Sequence, residues 1–464
     1  MRSFLNDKKS HLLAMVGRRR VGKTFLIREV FKENKVFEMT GLKNADLNTQ
    51  LMNFTLQMNR YFPTSKPTQK PESWLLAFNE LTTALQTQET ASKAVVFFDE
   101  LPWIAGRRSG FMEALAHWWN NWASQQNLIV VICGSAASWM LEHVVNAKGG
   151  LHNRITRAIT LMPFTLAETK EFLEARKIEL SNYQIIQIYL AMGGIPHYLE
   201  QVSKGKSAAQ NIQDTCFTKD GTLRNEFVNL YQALFDNAGN HIKIIKALAS
   251  RPNGLDRQQI LKLTGLSDGG GFTKVLTELE TSGFIATFEP LEKKKKDPLF
   301  RLSDEYSLFY LKLIEGRTIS GADEWMRISQ GQEYRIWCGY AFENLCIKHV
   351  DRIKHTLGIS GVQTSVNSFL HRKDETYAKG FQIDMLIDRK DDVINICEMK
   401  FYADEFNITS EYAAYLRTKK EGLKTVTGTK KMVQITFISS YGILDNQHKT
   451  DLVDNDLTLD ILFD

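Results

Sequence analysis

Short apolar runs alternate with segments of helical periodicity over the first third of the chain. The runs HLLAMV, AVVFF and LIVVIC are bounded by polar residues, whereas KTFLIREVFKE and FMEALAHWWNNWASQ repeat apolar residues three and four positions apart. Continuous apolar runs of this length are typical of strands buried on both faces, and their alternation with helices is typical of a parallel sheet. Residues 1–165 are therefore predicted to form an α/β core, followed by a helical lid over residues 166–235.

The pattern changes after residue 235. HIKIIKALAS, DRQQILKLTG and GGFTKVLTELETSG each have helical periodicity, while FIATFEP and PLFRLSD are typical of a short hairpin. Asp256 is a suitable N-cap for the second of these helices, and Gly265 is a suitable residue to end it. Three short helices and a hairpin are the components of a winged helix, predicted over residues 236–320. Residues 321–464 are predicted to form a last α/β domain.

A formal net charge of +5 over 464 residues is only mildly basic, so an acidic partner such as DNA is permitted but not required. The five cysteines are scattered and lack metal-ligand spacing, which is typical of a reduced compartment. No apolar run approaches the roughly 18 residues of a membrane span, and the N-terminal apolar stretch is too short for a signal peptide. These features predict a cytoplasmic protein without a membrane partner.

The segment GRRRVGKT carries the first candidate site. It fits the pattern G-x-x-x-x-G-K-[ST] and lies between an apolar run and an amphipathic helix, the context in which this pattern binds phosphate. Glycines let backbone N–H groups face a phosphate, and the helix that begins near Lys23 adds the positive end of its dipole. Lys23 is predicted to reach the β- and γ-phosphates of ATP, and the Thr24 hydroxyl to bind Mg²⁺. The predicted ATP-binding segment comprises Gly17, Arg18, Arg19, Arg20, Val21, Gly22, Lys23, Thr24 and Phe25.

Polar residues follow two further apolar runs. Asp99 ends AVVFFD, where a carboxylate suits the Mg²⁺ of a bound nucleotide, and the adjacent Glu100 is suited to polarise the attacking water. Ser135 follows VVICG and is predicted to sense the γ-phosphate, although capping of the next helix explains it equally well. The arginines at positions 18–20 are consistent with contacts to ATP, to a neighbouring subunit or to DNA, and also with a solvated basic surface.

The predicted winged helix carries few residues that read bases. Its third helix, residues 271–282, has a single lysine, Lys274, beside two glutamates, whereas base recognition uses mainly Arg, Asn and Gln. The run Lys293–Lys296 in the hairpin turn is suited to contacts with DNA phosphates. We therefore predict DNA contact through the wing without sequence-specific recognition. The alternative is a winged helix that serves as a spacer between proteins and has a solvated turn.

The stretch QIDMLIDRKDDVINICEMKF carries the second candidate site. Two strand-like runs flank a polar turn, and Glu398 and Lys400 share a face that Asp384 joins if it lies opposite Glu398. That alignment needs an odd number of turn residues, for instance three, and the sequence leaves this number open. Two facing carboxylates repel one another, and Mg²⁺ or Mn²⁺ would remove the repulsion. Lys400 would then position or activate water for cleavage of a phosphodiester.

Taken together, the lysine loop, the Asp-Glu pair and the segments NRITRAITLMPF and GGIPHYL resemble a prokaryotic AAA+/STAND-like P-loop ATPase family with a nuclease-like C-terminal domain. The resemblance covers nearly the whole chain. It implies an arginine that contacts the γ-phosphate, for which Arg154 is preferred to Arg157, and it is compatible with a homo-oligomer. The D…E-x-K pattern resembles the PD-(D/E)XK nuclease superfamily. This second resemblance implies an acidic residue from the preceding helix, and the implied metal ligands are Glu343, Asp384 and Glu398.

Two hypotheses about function remain open at this point. In the first, the protein is an ATP-dependent DNA-processing enzyme in which ATP binding controls a metal-dependent nuclease with Lys400 in its catalytic site. In the second, it is a regulatory ATP switch that holds DNA or protein without cutting and carries a degenerate nuclease-like domain. A P-loop kinase is disfavoured because the sequence has no separate acceptor site and no lid pattern of the kinase type.

Overall fold

The computed structural model divides the chain into two compact units, residues 1–162 and residues 163–464. The finer division at residues 166, 236 and 321 stays a prediction. No helix in the described part of the chain is long and apolar enough to cross a membrane. The predicted lysine run Lys293–Lys296 lies outside the described residues. Those residues are 1–63, 68–87, 93–106, 108–146, 150–151, 153–235, 237–251, 253–288, 298–317 and 323–464.

Residues 1–162 contain a sheet of parallel strands in the order β2-β3-β4-β1-β5. Because the strands are parallel, the carboxyl ends of β1, β3 and β4 meet at one edge, where α/β sheets bind ligands. The strands are β1 (His11–Val16), β2 (Lys35–Thr40), β3 (Ala94–Asp99), β4 (Leu128–Gly134) and β5 (Arg157–Thr160). The helices are α1 (Lys23–Val30), α2 (Leu47–Tyr61), α3 (Trp74–Gln86), α4 (Leu101–Ile104), α5 (Phe111–Asn121) and α6 (Ala137–Met140).

Strands β1, β3 and β4 are buried on both faces of the sheet, which explains the unbroken apolar runs in the sequence. On β4, Val130 and Ile132 belong to one hydrophobic core, whereas Ile129 and Val131 belong to another. Successive side chains of a strand point to opposite faces, so a strand covered on both sides needs apolar residues at every position. The prediction of a parallel α/β core is confirmed for this unit.

Residues 163–464 begin with a long helical stretch that ends in a hairpin. Asp256 caps its helix by accepting from the backbone N–H of Gln259 at 2.9 Å, and Gly265 ends that helix in the left-handed conformation with φ 66°. The helices are α7 (Leu166–Ala175), α8 (Asn182–Met192), α9 (Pro196–Leu199), α10 (Ala208–Ile212), α11 (Glu226–Leu234), α12 (Ala238–Ala249), α13 (Arg257–Thr264) and α14 (Gly270–Thr281). The antiparallel hairpin strands are β6 (Ile285–Phe288) and β7 (Leu299–Leu302).

The rest of this unit is built on a mixed sheet in the order β12-β11-β10-β9-β8. Strands β8, β9 and β10 pair antiparallel, and β10, β11 and β12 pair parallel. The strands are β8 (Thr364–His371), β9 (Phe381–Arg389), β10 (Val393–Lys400), β11 (Met432–Ser439) and β12 (Asn455–Thr458). The helices are α15 (Glu305–Phe309), α16 (Glu324–Ile328), α17 (Gln332–Lys348), α18 (Val350–Thr356), α19 (Ser410–Thr427) and α20 (Gln447–Leu452).

A buried histidine joins the end of α17 to the start of α7. The Leu166 backbone N–H donates to Nε2 of His349 at 3.3 Å, so the proton of this imidazole is on Nδ1, which donates to the Leu345 carbonyl at 2.9 Å. Burial lowers the pKa of His349, and the positive charges of Lys348 and Arg352 lower it further. The folded chain therefore favours the neutral imidazole.

We expect His349 to make stability depend on pH. Because its pKa is lower in the folded chain than in the unfolded chain, the unfolded chain binds more protons as the pH falls through about 6.5, and the free energy of unfolding decreases. Melting temperatures at about pH 7.5 and about pH 5.5 should therefore differ more for the wild type than for His349→Gln. The matched control His355→Gln, at an exposed position of α18, should behave as the wild type does. Equal differences in wild type and His349→Gln would contradict this expectation.

Candidate functional site

The loop between β1 and α1 folds around the side chain of Lys23. The Lys23 ammonium donates to the carbonyls of Gly17 and Arg18, both at 2.8 Å, and it is buried. Burial lowers the pKa of Lys23, because the charged form is poorly solvated there. A buried cation at the centre of a loop followed by a helix N-terminus is suited to an anionic ligand.

Two glycines of this loop occupy positions that a side chain would disturb. A Cβ at Gly17 would lie 2.4 Å from the Leu161 carbonyl oxygen, which belongs to the segment just after β5. Gly22 has φ 91° and is the N-cap of α1. The left-handed conformation favours glycine, and it lets the helix begin at Lys23 directly after the turn.

The residues between the glycines differ in exposure. Arg18 is only 5% exposed, so the interpretation of a solvated basic surface is wrong for this residue. Arg19 and Arg20 are half-buried, and Val21 is buried. Phe25 is 71% exposed on the outer face of α1, which leaves it a surface residue of this unit.

A chain of hydrogen bonds connects the polar residues at the carboxyl edge of the sheet. The Thr24 hydroxyl donates to the Asp99 carboxylate at 2.8 Å, which also accepts from the Glu100 backbone N–H at 2.9 Å. The Ser135 hydroxyl donates to the Glu100 carboxylate at 2.8 Å, and the Ser135 N–H donates to it at 3.2 Å. The ends of β3 and β4 and the start of α1 therefore converge.

Ser135 lies at this junction for a reason other than helix capping. The N-cap of α6 is Ala136, and that cap has no side-chain hydrogen bond. The Ser135 hydroxyl instead binds Glu100, which has φ 48° in the left-handed region. The alternative in which Ser135 caps the next helix is wrong, and its prediction as a γ-phosphate sensor stays a prediction.

The arginine implied by the resemblance lies on the surface of this unit. Arg154 is in the turn before β5, where its backbone N–H donates to the Leu151 carbonyl, and its side chain is exposed. Arg157 is the first residue of β5 and is exposed too. Neither side chain is part of the hydrogen-bonded group around Asp99.

In the second unit, the hairpin of β9 and β10 carries the other candidate residues. The turn between them, residues 390–392, has three residues, which is the odd length that the alignment of Asp384 with Glu398 needs. The register pairs Met385 with Cys397, so the next position along the ladder brings Asp384 opposite Glu398. Lys400 follows two residues later on the same face of β10.

Helix α19 holds the carboxylate of Glu398. Lys419 forms a buried ion pair with it, and the Tyr412 hydroxyl donates to it at 2.7 Å. Burial acts to raise the pKa of Glu398, but the charges of Lys419 and Lys400 outweigh burial and hold this pKa below its ordinary value. Glu398 is therefore ionised and paired.

Glu343 of α17 lies in a different electrostatic environment. Burial raises its pKa to about 8, and the negative charge of Asp384 contributes to this increase. The charges of Lys400 and Arg301 act in the opposite direction. Within the described residues, no three His, Cys, Asp or Glu side chains are grouped closely enough to hold a metal ion. Glu343, Asp384 and Glu398 are thus electrostatic neighbours, but they do not form a compact metal-binding cluster.

Sequence reasoning missed three residues of this second site. Tyr412 and Lys419 are seven positions apart on α19 and so lie on one helical face, a periodicity that would have been visible in the sequence. Arg301 comes from β7, 83 positions before Asp384, and no local pattern connects the two.

Lys400 contributes a cation near the Tyr412 ring, with Nζ 5.0 Å from the ring centroid.

A parallel sheet, a glycine-lysine loop before a helix and a threonine–aspartate hydrogen bond at the carboxyl edge define the P-loop class of nucleotide hydrolases. Residues 1–202 match the ATPase_2 family model, an ATPase domain predominantly from Archaea. The chain is an ATPase, as the sequence predicted. No curated protein matches it significantly.

Several solved structures are similar over much of the chain at low identity. The Walker-type ATPase PABY2304 of Pyrococcus abyssi is 16% identical over 65% of this chain and 91% of its own, with a TM-score of 0.46. The Aeropyrum pernix ORC2 protein, as ADPNP-ADP complexes, is 13% identical over 71% of this chain and 90% of its own, with a TM-score of 0.39. Drosophila ORC bound to DNA is 15% identical over 67% of this chain and 83% of its own, with a TM-score of 0.29. The ATPase assignment rests on the family match.

Proposed function

We propose that this ATPase couples its nucleotide to DNA binding and to metal-dependent cleavage of phosphodiester bonds. The observation that carries the cleavage part is the register of β9 and β10, which pairs Met385 with Cys397 and, continued by one position, aligns Asp384 with Glu398 and leaves Lys400 on the same face. The alternative is an ATP switch that binds DNA or protein without cutting. Both share the nucleotide site and differ only in the chemistry of the second site.

At the nucleotide site, each polar residue has a proposed role. Lys23 binds the β- and γ-phosphates, and the loop N–H groups bind the same anion. The neighbouring oxygens of Thr24 and Asp99 fit Mg²⁺, which supplies positive charge to the phosphates when bound. Glu100 orients the attacking water, and Ser135 positions the Glu100 carboxylate through its hydrogen bond.

The three helices α12, α13 and α14 and the hairpin of β6 and β7 support a winged helix as the DNA-binding element. On α14, Lys274 is exposed, and its ammonium lies 3.8 Å from the Glu278 carboxylate. A lysine paired in this way offers little for base recognition, so we propose contacts to the DNA backbone without sequence preference.

At the second site, carboxylate oxygens are the ligands that a hard divalent ion such as Mg²⁺ or Mn²⁺ prefers, although the three side chains would have to move closer together to share one ion. The negative charge of Asp384 helps to raise the pKa of Glu343, and a divalent ion would relieve the repulsion between the two carboxylates. Glu398 is the third proposed ligand, and Lys400 positions or activates water. The ion pair of Glu398 with Lys419 favours the non-cleaving alternative, since a paired carboxylate is less available to a metal.

A nuclease assay with a matched pair of variants distinguishes the two functions. Supercoiled and linear DNA and RNA are incubated with the full chain, with and without ATP, in Mg²⁺ or Mn²⁺. Lys400→Ala should reduce cleavage by about 10²-fold or more if Lys400 acts on the attacking water. The control Lys390→Ala removes an exposed lysine at the opposite end of the hairpin and should cleave as the wild type does.

Each result favours one function. Cleavage that requires the metal and is lost in Lys400→Ala supports the nuclease. Binding of DNA without cleavage in either metal supports the ATP switch. Cleavage that persists unchanged in Lys400→Ala would place the activity elsewhere and contradict the proposed site.

A further inference from the structure

A buried arginine of the β6–β7 hairpin lies beside the carboxylates of the second site. Arg301 is only 4% exposed, although it belongs to a two-stranded hairpin, where one face usually meets water. The next residue, Leu302, is buried as well, so β7 is covered on both sides at its end. Burial of an arginine without compensation is strongly unfavourable, which calls for a specific reason.

Hydrogen bonds of neighbouring residues attach the surroundings of Arg301 to the elements that carry two of the carboxylates. The Asn344 side chain donates to the Leu302 carbonyl at 3.4 Å, which holds β7 against α17 beside Glu343. Asn253, in the turn after α12, exchanges hydrogen bonds of 2.7 and 2.8 Å with Gln382, whose amide also donates to Asp384. Asn253 lies beside β7, since Leu255 pairs with Phe300. The segment around Arg301 is therefore attached to α17, which carries Glu343, and to β9, which carries Asp384.

The negative charges of the second site affect the pKa of Arg301. Burial lowers the pKa of Arg301, and the negative charges of Asp384 and Glu343 counteract this effect. In return, the charge of Arg301 lowers the pKa of Glu343. The guanidinium is thus close enough to Asp384 and Glu343 to be affected by the charges of both.

Arg301 nevertheless forms no ion pair with these carboxylates. Among the described residues, no carboxylate lies within ion-pair distance of its guanidinium, and its buried Nε has no hydrogen-bond acceptor. The Phe288 ring supports the group from one side, with Cζ 4.9 Å from the ring centroid. A rigid, buried donor set with an unused N–H is suited to an anionic oxygen of a ligand.

We infer that Arg301 binds a non-bridging phosphate oxygen of a DNA backbone that enters the carboxylate site. The inference rests on the proposed function, because it assigns a residue to the phosphodiester of that site. The arginine also explains how an anionic backbone approaches three carboxylates, since Arg301, Lys400 and Lys419 supply three positive charges there. Through Arg301 the hairpin contributes directly to the second site.

The test measures DNA binding and cleavage in the full chain. Fluorescence anisotropy measures the affinity for a labelled DNA duplex at several salt concentrations in a buffer that contains Ca²⁺. A gel checks that the DNA stays intact during the measurement. Arg301→Gln should weaken binding about tenfold and reduce the slope of log affinity against log salt by about 1. Arg301→Lys keeps the charge but loses the planar donor set, so its salt slope should stay near that of the wild type while its affinity falls. Arg417→Gln, at an exposed position of α19, is the matched control and should change neither quantity.

The outcomes separate this inference from the proposed function. If the wild type cleaves DNA and Arg301→Gln binds and cleaves it equally well, the proposed role of Arg301 is wrong and the proposed nuclease function is unaffected. A wild type that binds but never cleaves, with binding that depends on Arg301, would support the phosphate contact and refute the nuclease. If circular dichroism shows that Arg301→Gln does not fold, the result for Arg301→Lys is decisive. An affinity of Arg301→Lys for DNA equal to that of the wild type would refute the contact. A wild type that binds no DNA overturns both.

Discussion

Replacing Lys23 by alanine should abolish most ATP turnover. The Lys23 ammonium is buried and donates to two carbonyls of its own loop, so its charge is held where the phosphates are proposed to bind. Removing one preorganised donor to developing negative charge lowers turnover by on the order of 10²–10³-fold, and we expect Lys23→Ala to reach at least this loss. Phosphate release from ATP at saturating Mg²⁺ measures the rate, and calorimetry with ATP measures the accompanying loss of affinity.

The stability of Lys23→Ala should differ from that of the wild type much less than its ATP turnover does. Lys23→Ala removes two hydrogen bonds but also removes a buried charge, and these contributions oppose one another. The control Lys32→Ala, at an exposed position just after α1, should hydrolyse ATP at the wild-type rate. Turnover by Lys23→Ala within about threefold of the wild type would contradict the assignment of the lysine loop to phosphate. A variant that unfolds would be recognised by its circular dichroism before any rate is interpreted.

The first unit could be predicted from the sequence because its signals are local. The apolar runs identify the strands, and the glycine-lysine pattern lies between a strand and a helix in the structure as in the sequence. The hydrogen bond from Thr24 to Asp99 joins residues 75 positions apart, but a parallel sheet brings the carboxyl ends of its strands together, so the contact was foreseeable. The burial of Arg18 was not foreseeable, because loop sequence does not reveal which side chains pack inward.

The second unit shows where local patterns stop being informative. The sequence could state that Asp384 faces Glu398 only if the turn is odd, and strand ends cannot be located to a single residue from propensity alone. The cations near these carboxylates include Lys419 of α19, which pairs with Glu398, and Arg301 of β7, and the positions of both elements depend on tertiary packing. Arg301 and Lys419 therefore appear only in the folded chain, although they change the charge of the site as much as the predicted residues do.

Replacing Glu100 by glutamine should separate ATP binding from ATP hydrolysis. The Glu100 carboxylate accepts hydrogen bonds from the Ser135 hydroxyl and N–H, and a glutamine carbonyl oxygen can still accept from them. A neutral amide cannot take a proton from water, so we expect hydrolysis to fall by on the order of 10²–10³-fold while ATP affinity stays within about threefold. Single-turnover hydrolysis and calorimetry on the same preparation measure the two quantities.

Two further variants test how Glu100 is positioned. Ser135→Ala removes the hydroxyl that holds the carboxylate, and a positioning role predicts slower hydrolysis by about tenfold with little change in ATP affinity. Glu113→Gln makes the same chemical change at an exposed position of α5 and should leave both quantities unaltered. If Glu100→Gln loses ATP binding together with hydrolysis, the residue supports the fold of the site instead of its chemistry. The left-handed backbone at Glu100 would then be a structural feature of the strand end, and the proposed role in orienting water would have to be withdrawn.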